Sequence, residues 1–272
     1  MRHTDWEQLE EPVRLAIEAR TGRVRAARTV SAGLNSQLAT VLDTDAGTVF
    51  VKGLRVDHPG VVRQGREAMI NPFVRTVAPR LLWHDRAAGW DVLAFEYVDG
   101  VRHADYRPGS PDLPRVIDAM HRLAAIGCPD LPVKQARQRW GAYVDREADL
   151  ELLDGNALLH TDFNPLNILL GLDRVWMIDW AWPTRGAAFI DAGCFLIRAM
   201  AAGHNASQAE SLACMCPGWQ QAPDAAIDVF ALASARLYDA IARNDPQPFK
   251  QGLATAAHRW ACHRFGTNLR YR

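Results

Sequence analysis

Three oxygen-bearing side chains near the middle of the chain have the types and spacing of a metal site. Asp162 and Asn167 precede one short apolar run, 168–170, and Asp179 ends a second, 175–178. The intervening Gly-Leu-Asp-Arg predicts a turn and therefore a β-hairpin. Because a hairpin returns the chain to its start, we expect Asp179 to lie beside Asn167. Carboxylate and carboxamide oxygens suit Mg²⁺, so the sequence predicts a magnesium site where these three side chains gather.

A simpler interpretation of the same stretch needs no metal. The hairpin could carry nothing more than a polar turn, with His160 hydrogen-bonded in the core and Asp179 capping a strand end. A wider pattern of residues favours the first interpretation.

The spacing resembles the catalytic loop of the protein kinases. His160, Asp162 and Asn167 fit the His-x-Asp-x-x-x-x-Asn template, which is followed by a metal-binding Asp. Here Asn167 continues into Ile-Leu, and Asp179 lies in Ile-Asp-Trp. This form resembles the aminoglycoside phosphotransferase family, the small-molecule branch of the protein-kinase-like fold. The resemblance implies that Asp162 accepts a hydroxyl proton, that His160 supports it in the catalytic loop, and that Asn167 and Asp179 hold Mg²⁺ on ATP or GTP.

The same resemblance implies an α+β, two-lobed protein-kinase-like fold. Residues 1–98 would form an N-terminal nucleotide-binding lobe with an antiparallel sheet plus helices. Residues 99–272 would form a mostly helical C-terminal lobe that contains the catalytic β-hairpin and binds the acceptor. Hydrophobic periodicity predicts an amphipathic first helix, strands near 24–30, 37–42, 48–51, 80–83 and 91–97, and late helices from 192 onwards.

Lys52 and Glu67 are a predicted ion pair of the first lobe. Only three lysines occur in the chain, at 52, 134 and 250, and Lys52 ends a strand that reads Val-Phe-Val-Lys. It resembles the kinase lysine that binds the α- and β-phosphates. Glu67 is the acidic residue of the following predicted helix, 63–74. The alternative is a surface lysine and an unrelated surface glutamate.

Two backbone segments are predicted to contact the nucleotide. The small-residue loop with Ser31 and Gly33 joins two strands and could lay N–H groups over phosphates, although one glycine also suits an ordinary hairpin loop. The resemblance further implies that the main chain near Glu96 and Val98 hydrogen-bonds the adenine edge at a hinge.

Two acidic features have open interpretations. Asp191 resembles the family's buried aspartate that holds the catalytic loop, but it could instead cap a helix beginning near Ala192. Residues 135–150 predict a long helix, and the carboxylates from Asp145 to Asp154 form either a solvated surface or an acidic rim for a cationic substrate.

Composition limits the class of protein. The 272 residues are 49% hydrophobic and 23% charged, with 31 basic and 31 acidic side chains. This balance is typical of a globular protein and gives no global charge to attract nucleic acid or a membrane surface. Five cysteines and an N-terminus without an apolar leader favour the cytoplasm. We expect a monomer or homodimer.

These observations together predict an ATP- and Mg²⁺-dependent phosphotransferase that modifies a hydroxyl of a small molecule. An antibiotic is the leading expected acceptor. The alternatives are a metabolic kinase for a choline-, homoserine- or sugar-like acceptor, and a non-catalytic nucleotide-binding module. The late helices carry more Arg and Lys than Asp and Glu, which weakens the case for a polycationic aminoglycoside.

Overall fold

The computed structural model describes residues 3–31 and 36–266. The chain forms two compact units, Met1–Val101 with Gly171–Ala181, and Arg102–Leu170 with Trp182–Arg272. A boundary at residues 98 and 99 would assign segment 171–181 to the second lobe, so the structure differs there. The reason is local hydrogen bonding: Met177 donates its N–H to Val77 at 2.6 Å, and Arg174 donates to the carbonyls of residues 75 and 76.

The first unit is built on a five-stranded antiparallel sheet. Its elements are α1 (Glu11–Thr21), β1 (Val24–Thr29), β2 (Leu38–Thr44), β3 (Gly47–Arg55), α2 (Val61–Ile70), β4 (Leu81–Ala87) and β5 (Trp90–Glu96). The strand order in the sheet is β1-β2-β3-β5-β4. The predicted strands are confirmed, each within a few residues of its expected bounds.

One face of this sheet carries the core of the unit. Trp6, Leu9, Val13 and Ile17 are buried in a single cluster with side chains of β2, β3 and β5. The predicted amphipathic first helix is therefore confirmed in its packing. The structure divides it into a 3₁₀ turn, Trp6–Gln8, and α1. Each aliphatic side chain buried in this way contributes roughly 1.5–3 kcal/mol.

The second unit is mostly helical. Its helices are α3 (Asp112–Ala124), α4 (Ala136–Trp140), α5 (Phe189–Ala201), α6 (Ala206–Ala213), α7 (Asp224–Asn244) and α8 (Pro248–Phe265). Its short strands are β6 (Arg102–His103), β7 (Lys134–Gln135), β8 (Ala157–Leu159), β9 (Ile168–Leu170) and β11 (Thr184–Gly186), with β10 (Val175–Met177) falling in the first unit. Strand β6 pairs antiparallel with β9, and β11 pairs parallel with β7 and antiparallel with β8.

The predicted long helix over residues 135–150 is wrong. The structure has the short α4, a 3₁₀ turn at Gly141–Tyr143 and a second 3₁₀ helix, Glu147–Leu153. Val144 and Arg146 between them are extended, with ψ of 138° and 133°. Arg236 of α7 donates to the Tyr143 carbonyl at 2.9 Å, so tertiary contacts outweigh local helix propensity here.

The predicted α+β class, with an N-terminal antiparallel sheet and a mostly helical second part, is confirmed. All five cysteines are free thiols. Within residues 3–31 and 36–266, none of the helices combines the length and the apolar character that crossing a membrane requires.

Candidate active site

The first unit buries one lysine between carboxylates. Lys52 lies on β3, whose neighbours β2 and β5 pair with it through Ala39 and Leu93. Its ammonium forms an ion pair with Glu67 of α2, and the two side chains are 12% and 6% exposed. The structure therefore contains the predicted Lys52–Glu67 contact, and the alternative of two unrelated surface charges is wrong.

Asp179 completes this cluster from the returning end of the hairpin. Its Oδ1 lies 3.6 Å from Lys52 Nζ. The next residue, Trp180, donates its backbone N–H to the Glu67 carboxylate, and its indole donates to the Met177 carbonyl at 3.0 Å. These bonds fix the segment that carries Asp179, whose φ of 61° is rare for a residue other than glycine.

The charge state of Lys52 follows from its surroundings. Burial opposes the ammonium, but the Glu67 and Asp179 carboxylates outweigh this and raise the pKa of Lys52 above its ordinary value. Lys52 is therefore positively charged and is held between the Glu67 and Asp179 carboxylates. A buried ammonium held in this way is suited to binding phosphate.

In the second unit, Asp191 holds the loop that carries Asp162. Asp191 lies in the first turn of α5 and accepts the backbone N–H groups of His160 and Thr161 at 2.9 and 2.8 Å. The proposed helix-capping role is wrong, because α5 begins at Phe189 and the carboxylate points to the loop instead. Burial raises the pKa of Asp191 to about 6, although both N–H groups favour its ionised form.

Backbone strain marks the same loop. Thr161 has φ of 64°, a region that β-branched residues rarely adopt. Its hydroxyl donates to the His160 and Trp182 carbonyls at 2.7 and 3.2 Å, and its N–H is held by Asp191. These contacts maintain a conformation that the isolated segment would leave, as is common beside functional residues.

The remaining loop residues have supporting contacts. His160 is buried, and its Nδ1 accepts the Asp162 N–H at 3.2 Å. Asn167 ends a 3₁₀ turn, Pro165–Asn167, and its Nδ2 donates to the Asp162 carbonyl at 3.2 Å. Since Nδ2 is used in this way, the amide oxygen of Asn167 is the atom left to bind a ligand. The Asp162 side chain is 28% exposed and can be reached by an acceptor.

Sequence reasoning missed one partner of Asp162. Arg198 Nη2 lies 2.8 Å from Asp162 Oδ1, and the Arg198 side chain is 15% exposed. Arg198 follows Asp191 on α5 by two helical turns, so both lie on the same face. Helical spacing from Asp191 is the signal that could have identified it.

The two backbone segments predicted to contact the nucleotide are described only in part. Ser31 is exposed, and Gly33 lies outside the described residues. The Glu96 N–H bonds the Arg80 carbonyl at 2.9 Å, while the Glu96 carboxylate accepts from the Arg80 N–H at 2.9 Å. The Val98 N–H makes no hydrogen bond within the described ranges, so it is the better of the two donors for an adenine edge.

Comparisons with known proteins by sequence give nothing: no family model and no curated protein matches the chain. Solved structures do match. The choline kinase LicA from Streptococcus pneumoniae aligns with a TM-score of 0.63 at 11% identity, covering 92% of this chain and 98% of that one. Macrolide 2'-phosphotransferase type I aligns with a TM-score of 0.58 at 17% identity, covering 96% and 99%.

An antibiotic kinase with bound ligands is similar as well. A thermostable mutant of aminoglycoside phosphotransferase APH(4)-Ia, in a ternary complex with ADP and hygromycin B, has a TM-score of 0.56 at 15% identity over 90% of this chain and 97% of that one. At identities this low, the structural similarity establishes the fold and nothing beyond it. The chain has the α+β, protein-kinase-like fold of the small-molecule phosphotransferases.

Proposed function

We propose that this protein transfers the γ-phosphoryl group of ATP, or of GTP, to a hydroxyl of a small molecule. The observation that carries the proposal is the buried Lys52–Glu67 ion pair with the Asp179 carboxylate 3.6 Å from the ammonium. A charged lysine is costly to bury unless it is paired. Its retention beside a strained aspartate is explained most simply by a phosphate ligand.

The chemistry assigned to each residue follows from its contacts. Lys52 binds the α- and β-phosphates, and Glu67 holds it in place. The acceptor oxygen forms a bond to the γ-phosphorus as the bond from that phosphorus to the β,γ-bridging oxygen breaks. The hydroxyl proton passes to the Asp162 carboxylate, and ADP leaves. The transition state asks little covalent chemistry of the protein, so positioning by Asp191 and His160 supplies much of the effect.

The residues present fit magnesium. Asp179 offers carboxylate oxygens, and Asn167 offers an amide oxygen whose partner nitrogen is already bonded to Asp162. Hard oxygen ligands of this kind, few in number, leave room for water and phosphate oxygens around the ion. When bound, Mg²⁺ neutralises charge on the phosphates. That Asn167 and Asp179 share one ion stays a prediction.

An antibiotic is the physiological acceptor we propose, and a metabolite is the alternative. The structural neighbours include kinases named for choline, for macrolides and for aminoglycosides, so they favour neither class. Both acceptor classes offer an alcohol, and both use the same residues for transfer.

A non-catalytic nucleotide-binding module is the rival from another class. Such a module needs Lys52 and Asp179 for its ligand but has no use for Asp162. The side chain of Asp162 is accessible, and Arg198 and the loop contacts from Asp191 hold it in place. Nucleotide binding does not require Asp162, so the contacts that hold it in place favour an enzyme over a binding module.

The test measures ADP release with Mg²⁺, ATP and a panel of antibiotics and hydroxylated metabolites that includes acidic, neutral and basic compounds. We expect acceptor-dependent turnover, which Asp162→Asn lowers by about 10²–10⁴-fold while ATP affinity is kept, because the base is lost but the phosphate site is not. Lys52→Met should weaken ATP binding as well as turnover.

A matched control is Lys250→Met, which removes a lysine of α8 that also pairs with an acid, Asp245. It should leave both turnover and ATP binding unchanged. Tight ATP binding without turnover on any acceptor would favour the nucleotide-binding module instead.

A further inference from the structure

The proposed base lies among cations. Asp162 pairs with Arg198, and Arg139 is close enough to act electrostatically on the same groups as Arg198, namely Asp162, Cys194 and Tyr238. All of these residues belong to the second unit. The acceptor hydroxyl must approach Asp162, so an acceptor bound there meets two guanidinium groups.

Arg198 has donors to spare. A guanidinium offers five N–H bonds in a planar fork, and the contact with Asp162 uses Nη2. Within the described part of the chain its Nε and Nη1 have no hydrogen-bond partner. Planar forks of this kind suit carboxylate and phosphate oxygens. Arg198 can thus hold Asp162 and bind an anionic group of the acceptor at the same time.

Arg139 is held by neutral groups alone. Its Nη1 donates to the hydroxyls of Thr161 and Thr184, and its guanidinium lies 4.8 Å from the Trp140 ring and 5.5 Å from the Trp182 ring. No carboxylate among the described residues forms a salt bridge with it. Burial consequently lowers the pKa of Arg139. A bound anion would relieve this cost.

A third cation lies on the same indole. Lys134 Nζ is 5.0 Å from the centre of the Trp182 ring, so Lys134 and Arg139 both contact one side chain. The described carboxylates that interact with Arg198 and Arg139 are Asp162, which the proposed reaction uses as a base, and Asp191, whose oxygens accept backbone N–H groups. The charge that an acceptor meets near Asp162 is therefore positive.

The acidic residues that could bind a cationic acceptor are largely neutralised. Three carboxylates of the stretch 145–154 pair with arginines, and one arginine of α8 gathers three further carboxylates from α6 and α7. These pairs are Asp145–Arg236, Asp149–Arg146, Asp154–Arg137, and Arg264 with Glu210, Asp224 and Asp228. The acidic rim considered from sequence is thus mostly internal ion pairing.

A buried hydroxyl lies within the electrostatic range of the same charges. Tyr106 is 1% exposed, and its Oη has no hydrogen-bond partner within the described ranges. Arg198 and Asp162 are among the charged groups that act on it. Because this oxygen is closed to any ligand in the present conformation, the groups that an acceptor meets are the cations and not this hydroxyl.

We propose that the acceptor is a hydroxylated anion, and that Arg198 and Arg139 bind its carboxylate, phosphate or sulfate group beside Asp162. The inference rests on the proposed phosphotransferase function and narrows its substrate class. It disfavours choline-like and polycationic aminoglycoside acceptors, and it favours an antibiotic or metabolite that carries an acidic group.

The test compares four probes on one sugar scaffold: glucose, glucosamine, glucuronate and glucose 6-phosphate. Binding is followed by NMR of the arginine Nε–H signals, which detects millimolar affinities, with no nucleotide present. We expect glucuronate or glucose 6-phosphate to bind at least about tenfold more tightly than glucose and glucosamine, as one charge-assisted contact would give. The better of the two anions tells carboxylate from phosphate.

Three variants make the result specific. Arg198→Gln and Arg139→Gln should each remove the preference for anions, and Arg198→Lys should restore part of it. Arg146→Gln is the matched control, since it deletes an arginine that also pairs with an aspartate, and it should keep the preference. Equal binding of glucosamine, no binding of either anion, or a preference that survives Arg198→Gln would overturn the proposal.

The two proposals fail in different ways. Arginine-dependent anion binding without any ADP release would remove the kinase and leave the anion site. ADP release that depends on Asp162 but occurs only with cationic acceptors would keep the kinase and overturn the anion site.

Discussion

The two units hold their central charges in opposite ways. In the first, a single ammonium, Lys52, is enclosed by the carboxylates of Glu67 and Asp179. In the second, a single accessible carboxylate, Asp162, is paired with Arg198 and lies in the field of Arg139. Under the proposed function, the first arrangement places a cation for the nucleotide phosphates. The second would hold the base in position and present positive charge to the acceptor that carries the hydroxyl.

Two buried aspartates, neither of which would contact the reacting groups, also differ in how they are held. Asp91 of the first unit accepts bonds from Gln64, His84 and Arg86. Asp191 of the second accepts only backbone N–H groups. Burial acts to raise both pKa values. For Asp91 its partners outweigh burial and lower the pKa, whereas for Asp191 burial prevails.

The largest expected effect comes from breaking the ion pair of the first unit. Glu67→Ala should lower the free energy of unfolding by about 3 kcal/mol, the lower end of the range for a buried pair. The lower end applies because Asp179 stays 3.6 Å from Lys52. Urea unfolding measures the loss. The double variant Lys52→Met/Glu67→Leu should recover much of it, since apolar residues of similar volume then replace the pair.

A surface pair of the same unit is the control. Arg20 and Asp85 are 54% and 38% exposed, and Asp85→Asn should change stability little because solvent screens such contacts. If Glu67→Ala cost no more than Asp85→Asn, the buried cluster would not be the stabilising feature described here.

The second effect is a pH dependence set by Asp191. Its pKa is about 6 in the folded chain and roughly 3.9 in the unfolded chain. Between these values the folded state binds more protons, so this group's contribution to stability is full below pH ~4 and is lost as pH rises through ~6, by about 3 kcal/mol in all. Stability curves of the wild type and Asp191→Asn, measured from pH 4 to 7.5, should therefore differ by a term that declines with pH.

A difference that is flat or that grows with pH would show that Asp191 does not carry the raised pKa. Activity offers an independent check. Asp191→Asn places an amide N–H group against one of two backbone donors, so kcat should fall while ATP affinity, measured with the same protein, changes little.

The third effect is the pH dependence of the contribution of Asp91 to stability, which has the opposite sign to that of Asp191. The pKa of Asp91 is lowered despite burial because Arg86, His84 and Gln64 bond its ionised form. Its stabilising contribution is present above the unfolded pKa of roughly 3.9 and is lost as pH falls. Asp91→Asn should cost about 2 kcal/mol near neutral pH, as expected for one lost bond to a charged group, and less in acid. A cost that increases in acid would contradict this assignment.

Much of this contrast could be predicted where contacts are local. The turn at residues 171–174 and the strands that flank it lie where the sequence expects them, and Gly171 N–H bonds the Arg174 carbonyl at 2.9 Å. Lys52 and Glu67 are neighbours because a strand and the helix that follows it pack together, which the order of elements already implies. For Asp191 the sequence leaves two roles open, and the one that the structure supports, holding the loop, comes from resemblance and not from spacing.

The cations of the second unit were beyond the sequence. Arg139 reaches Thr161 and Thr184 from a short helix that was predicted as part of a longer one. No local sequence pattern predicts that Arg139 contacts residues more than 20 positions further along the chain. The binding of one ion by both Asn167 and Asp179 stays a prediction, because the two residues belong to different units.

The smallest expected effect separates strain with a function from strain without one. Among the described residues, Ala88, Thr161 and Asp179 are the non-glycine residues with positive φ, at 50°, 64° and 61°. Ala88 lies exposed in the turn between β4 and β5. Ala88→Gly should stabilise the protein by up to about 1 kcal/mol by relieving its backbone, with no change in turnover.

Thr161→Gly relieves the same strain but removes the hydroxyl that bonds Trp182 and Arg139, so turnover should fall whatever happens to stability. Thermal unfolding and ADP release on both variants measure the difference. Equal, unchanged turnover in the two would mean that the strained loop beside Asp162 is a folding feature alone.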